Sequence, residues 1–76
     1  TNPKKIILGI RIDSYSKIIG KSIKDIILPN HSSIILLIRA NGITDPPSEH
    51  KTIHSEDELL ILTEEKNKNK MLEYLS

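Results

Sequence analysis

Residues 33–47, Ser-Ile-Ile-Leu-Leu-Ile-Arg-Ala-Asn-Gly-Ile-Thr-Asp-Pro-Pro, leave this chain few ways to fold. The five consecutive large aliphatics from Ile34 to Ile38 carry the β-branching and the short length of a buried strand. Asn41-Gly42 supplies two residues that tolerate positive φ, which predicts a type I′ turn and a returning strand from Ile43. That turn sets Ala40 opposite Ile43, Arg39 opposite Thr44 and Ile38 opposite Asp45. Alternation then gives one apolar face of Ile34, Leu36, Ile38 and Ala40, and a second of Ile35, Leu37, Arg39 and Asn41. Pro46 and Pro47 have no amide hydrogen with which to extend the ladder, so the returning strand stops at about Asp45. Both faces require cover, one from the chain's own helices and the other from a second copy.

The remaining segments arrange themselves around this hairpin. Thr1 to Lys5 is polar, contains Pro3 and reads as the end of a linker; a chain that begins with Thr1 reads as a fragment of something larger or as a processed protein. Ile6 to Ile12 predicts a strand that buries Ile6, Leu8, Ile10 and Ile12. Ile19, Ile23, Ile26 and Ile27 recur at helical spacing, which predicts a short helix from Lys21 or Ser22 to just before Pro29. Ser48 to Asp57 is polar except for Ile53 and reads as a surface loop that tucks Ile53 inward. Glu58 to Thr63 predicts another strand, and Glu64 to Leu75 a closing helix with Met71, Leu72 and Leu75 on its apolar face. The expected fold is a small α+β sandwich in β-α-β-β-β-α order, with an antiparallel hairpin at its centre and helices packed on the sheet.

Composition excludes several function classes. No uncharged apolar run is long enough to span a membrane helically, which leaves no direct membrane insertion of that kind. The chain has no cysteine, so disulfides and thiolate metal sites are excluded. A net charge of +1 and only two aromatics, Tyr15 and Tyr74, give no footprint for nucleic acid and almost no stacking platform for bases. A chain of 76 residues with no Phe or Trp in its core is marginal as a monomer, which predicts a homodimer.

Among the polar motifs, Arg39 beside Thr44 offers a planar fork suited to a phosphate or carboxylate, or to a salt bridge with Asp45. Gly20-Lys21-Ser22 mimics the tail of a P-loop, but the glycine required five residues earlier is Tyr15, and Gly20 more simply permits a turn. His50 and His54 have a zinc-site spacing only if helical, whereas their segment is loop-like. Glu56-Asp57-Glu58 reads as a solvated turn rather than a cation site, and Lys66, Lys68 and Lys70 as a solvated helix face. No spacing recommends a nucleophile with its base, so the chain is read as non-enzymatic.

In order and in landmarks the chain resembles the TrkA-C domain, also called the RCK C-terminal domain, of potassium channel and transporter regulators. The matching stretches are Ile10-Arg-Ile12, the segment from Ile18 to Ile27, the apolar strand with its Arg39-Ala-Asn-Gly42 turn, Ile43-Thr-Asp-Pro-Pro47, and the run from Ile53 to Leu62. The family's glycine in the turn before the last strand is replaced here by Ser55-Glu56. The resemblance implies a cytoplasmic, dimeric, ligand-sensing domain over residues 6–76, membrane-associated through the transport system it regulates. It implies as partners a preceding nucleotide-binding RCK (TrkA-N) domain or a membrane transport subunit. In some members two such domains hold cyclic di-AMP at their interface; the positions implied here are Ile34, Arg39, Ala40, Asn41, Ile43, Thr44, Asp45 and Pro46. Where the family's phosphate site has histidine or asparagine donors, this chain has Thr44-Asp45. The alternative is a purely structural dimerisation module without ligand; a small metal-binding protein using His50 and His54 is more distant.

Overall fold

The computed structural model describes residues 2–76, so Thr1 of the expected linker lies outside the described residues. Four antiparallel strands, β1 (Lys5–Arg11), β2 (Ser33–Ile38), β3 (Thr44–Asp45) and β4 (Glu58–Glu64), are followed by one α-helix, α1 (Lys68–Leu75). Single 3₁₀ turns lie at Ile23–Asp25 and Glu65–Asn67. The α+β class is as expected, and so is the closing helix. The strand order is β1-β4-β2-β3, which places the two-residue β3 at an edge and β4 in the interior, and the first expected helix is reduced to the 3₁₀ turn.

The register explains the core. Leu8 lies opposite Ile61 and Ile10 opposite Leu59 across β1 and β4, while Ile34 lies opposite Ile61 and Leu37 opposite Leu59 across β2 and β4. Directly paired residues share a face, so these side chains form one apolar layer, joined by Ile12, Ile18, Ile26, Ile53, Met71 and Leu75. The helix contributes Met71 and Leu75, both fully buried, as its spacing predicts. Buried Thr63 shares a 2.6 Å hydrogen bond with Ser32 and accepts from Asn67 Nδ2 at 3.3 Å, so the polar group among the aliphatics is satisfied.

Strand β2 does not alternate along its length as expected. A bulge at Ile35 separates the Ile34–Ile61 and Leu36–Leu60 pairs, so Ile34 packs on the core and Leu36 and Ile38 turn to the other face. Leu37 is the core residue of this strand and Ile35 is exposed. The turn also differs. Arg39 donates to the Ile43 carbonyl at 2.9 Å and accepts from the Gly42 amide at 2.8 Å, leaving a three-residue loop in which Gly42, at φ 85°, is left-handed and Asn41 is not. The Asn41 side chain accepts the Ile43 amide at 3.0 Å, which favours this loop over the two-residue one. Register therefore moves by one: Ile38 pairs with Thr44, and Leu37 with Asp45.

The expected helix gives way to pairing with a distant segment. The Ile23 and Lys24 amides donate to the Lys51 and Glu49 carbonyls at 2.9 and 3.0 Å. Gly20 donates to the Ile53 carbonyl at 2.8 Å, and Ile53 to that of Lys21 at 2.9 Å. Backbone groups held in this cross-connection cannot also close helical turns. Ile26 then packs inward and Ile27 stays 81% exposed, where a helix would have buried both. Ile53 is fully buried, as expected.

The turn into β4 holds Glu56 at φ 70°, with its amide donating to the Ile12 carbonyl at 3.0 Å. A non-glycine residue in that region costs about 1–2 kcal/mol. Glu56→Gly should therefore stabilise the chain by about 1 kcal/mol or less after the extra freedom of glycine in the unfolded state. Gly42→Ala should destabilise it by about 1 kcal/mol. Thermal melts followed by circular dichroism check both signs; a lower midpoint for Glu56→Gly would remove the strain assigned to this turn.

Candidate functional site

Leu37 of β2 and Leu59 of β4 are paired core residues, and two positions beyond each, on the same face, stand Arg39 and Asp57. The apolar layer thus ends in an ion cluster at the tip of the sheet. Arg39 Nη1 donates to Asp57 Oδ2 at 2.6 Å and to the Thr52 carbonyl at 2.9 Å. Its Nε and Nη2 donate to Asp45 Oδ2 at 3.3 and 3.2 Å. Lys51 Nζ takes the other oxygen of Asp45. Asp57, only 1% exposed, also accepts the His54 amide at 2.7 Å.

The cluster holds two cations and two carboxylates, and it joins the hairpin, residues 51–54 and the entry to β4. The Lys51 ammonium, and then the Arg39 guanidinium, hold the Asp45 carboxyl below its ordinary value of 3.8, outweighing the opposing desolvation. Beside the cluster, Arg39, Ala40, Asn41, Asp45, His54, Ser55 and Asp57 line an open groove of about 580 Å³. Its rim carries donors and acceptors of both kinds: an amide side chain, an imidazole, a hydroxyl and the guanidinium edge.

Four of the eight positions expected from sequence, Arg39, Ala40, Asn41 and Asp45, meet in this groove. Ile43 is on the hairpin beside it and 62% exposed, and Pro46 follows β3, also exposed. Thr44, paired with Ile38, belongs to the opposite sheet face. Ile34 sits at the far end of β2, five residues or roughly 16 Å from Arg39 along the strand. Sequence reasoning missed Lys51, His54, Ser55 and Asp57. The available signal for Asp57 was its even spacing from Leu59, which puts it on the core face of β4.

The other motifs are engaged elsewhere. The Gly20 amide is committed to Ile53, and Ser22 Oγ donates to Asp25 at 2.9 Å. His50 pairs with Glu49 at 3.4 Å and His54 Nε2 lies 3.1 Å from Thr52 Oγ1, on a non-helical segment. The three acids diverge: Glu56 reaches Arg11 at 3.5 Å, Asp57 reaches Arg39, and Glu58 leans over Gly9, where a Cβ would meet its Oε2 at 2.6 Å. Among the described residues no group of three or more His, Cys, Asp or Glu side chains could hold a metal ion. No helix of these residues is long and apolar enough to cross a membrane.

A family model described as the TrkA-C domain matches residues 7–76. A solved structure of an RCK domain with cda is similar in fold, with a TM-score of 0.80 and 14% identity, over 92% of this chain and 97% of that one. No curated protein matches.

Removing Arg39 strands a buried carboxylate. Arg39→Ala should cost about 3 kcal/mol, and Arg39→Lys, which has no planar fork, most of that. Urea unfolding measures both, and a loss below about 1 kcal/mol would reduce the cluster to an ordinary surface pair. Because the Asp45 carboxyl titrates below 3.8 in the folded chain, its stabilisation is complete above that pH and is lost as pH falls through the folded value. The urea midpoints of wild type and Asp45→Asn should therefore differ at neutral pH and converge on acidification.

Proposed function

Because the chain belongs to the TrkA-C (RCK C-terminal) family of regulatory, non-catalytic domains of potassium transport systems, we propose that it senses a small ligand and works as a homodimer. The observation that carries the ligand reading is the groove at the hairpin tip, where Arg39, Ala40, Asn41 and Asp45 converge with His54 and Ser55. Cyclic di-AMP is the first candidate, on family grounds, and the similar RCK domain solved with cda supports a ligand on this fold. The residues before β1 serve as the end of a linker, and the sensing unit starts at Lys5, the first residue of β1 and one residue earlier than the sequence suggests. The linker leads from a nucleotide-binding RCK domain or a transport subunit, at the cytoplasmic side of the membrane.

The dimer reading draws on the uncovered sheet face. Ile7 lies opposite Leu62, and Leu36 opposite Leu60, on the side away from the core. Ile7 is 61% exposed and Leu62 37% exposed, and two large aliphatics paired at a surface favour burial against another protein. A ligand held between two copies would favour one dimer geometry, and the shift in population would pass through β1 to the attached domain. The second reading, a structural dimerisation module without ligand, is favoured by one observation: Arg39 is already engaged by Asp45, Asp57 and the Thr52 carbonyl.

Thermal melts with cyclic di-AMP, adenine and nicotinamide nucleotides, divalent cations and chelator separate the two. A ligand at about a hundred times its dissociation constant adds about 2.7 kcal/mol, and each kcal/mol moves the midpoint of a domain this small by about 4–8 °C. No shift with any compound would favour the structural module. Leu60→Lys on the uncovered face should give a folded monomer by sedimentation equilibrium; a persistent dimer would move the interface elsewhere.

A further inference from the structure

Arg39 presents two edges that are held very differently. The Nη1 side is anchored, at 2.6 Å from an Asp57 carboxylate that is almost wholly buried and at 2.9 Å from the Thr52 carbonyl. The Nε and Nη2 side is the bidentate edge that a phosphate or carboxylate uses, and both nitrogens point at a single oxygen of Asp45, at 3.3 and 3.2 Å. Charge-assisted bonds of this kind close to about 2.7–2.9 Å when well formed, so this edge is only loosely occupied. Asp45 is on a two-residue edge strand that runs into Pro46-Pro47, and its other oxygen is kept by Lys51.

We infer that Asp45 is an internal occupant of the anion seat on Arg39, and that a phosphate-bearing ligand of the groove binds by displacing it. This rests on the ligand-sensing reading of the groove. Displacement leaves no group stranded: Arg39 stays anchored through Nη1, and Asp45 stays paired with Lys51. It also gives ligand arrival a mechanical result, since the tie between β3 and Arg39 opens while the tie to β4 holds. Asp45 thereby sets the affinity of the groove, because each ligand phosphate competes with a carboxylate that is already in place.

Isothermal titration of wild type, Asp45→Asn and Glu49→Gln with cyclic di-AMP and with inorganic phosphate tests this. Glu49 is exposed and does not touch Arg39, so its variant removes the same charge without vacating the seat. Asp45→Asn should bind cyclic di-AMP about tenfold or more tightly than wild type, with a parallel gain for phosphate, while Glu49→Gln stays within about twofold. Equal affinities for wild type and Asp45→Asn, or an equal gain in Glu49→Gln, would overturn displacement and leave the ligand reading intact. Binding to none of the three proteins would remove both. In wild type the Arg39 Nε–H resonance should move on saturation with cyclic di-AMP toward its position in the bound Asp45→Asn protein; a stationary resonance under saturating ligand would also overturn the inference.

Discussion

One guanidinium settles where the hairpin sits. Arg39 is reached by Asp45 from six residues away, by the Thr52 carbonyl from thirteen and by Asp57 from eighteen. The hairpin itself brings Asp45 near, whereas Thr52 and Asp57 come from outside it. β3 contributes only two ladder residues and is stopped by Pro46 and Pro47, so its pairing with β2 is weak support for the position of the hairpin tip. The ion cluster supplies the remainder. It also closes the end of the apolar layer, where water would otherwise reach Leu37 and Leu59. Desolvating Asp57 is tolerated because Arg39 and the His54 amide meet the same carboxylate.

Much of the sheet could be read directly from alternation. Leu8, Ile10 and Ile12 are buried as period-two spacing requires, and Met71 and Leu75 as the helical spacing requires. The errors lie where one residue changes parity. A bulge at Ile35 leaves no mark in an unbroken aliphatic run, since every residue there is apolar on either face. Asn41-Gly42 suits both a two-residue and a three-residue loop, and the choice turns on a bond from the Ile43 amide to the Asn41 side chain. The spacing of Ile19, Ile23, Ile26 and Ile27 is helical, yet the backbone there pairs with residues 49–53, a partner about thirty residues away that no local pattern reveals.

The candidate site follows the same division. Arg39, Ala40, Asn41 and Asp45 are neighbours on one hairpin, so locating the turn also locates them. Asp57 looks in the sequence like one of three solvated acids, and only the strand that follows distinguishes it. Its parity with Leu59 and Ile61 points it inward, whereas Glu56 and Glu58 diverge. Lys51 and the Thr52 carbonyl join the cluster because residues 49–53 are held against residues 20–24, so the failed helix and the unanticipated site residues have a common origin.

Strand order also dictates when the molecule can assemble during synthesis. β1 and β2 both depend on β4, and β1 waits for a partner roughly fifty residues downstream. While the ribosome still covers Glu58 to Glu64, the nascent chain has only the small β2–β3 hairpin available, which is marginal in water by itself. Sheet formation therefore waits for β4 and carries the entropy of closing a long loop, a high contact order that slows the search. During that interval Ile6, Ile7, Leu8 and Ile10 are exposed to any neighbouring strand, and the lysines at positions 4 and 5 and Arg11, which flank them, act as gatekeepers that keep the unfinished chain soluble.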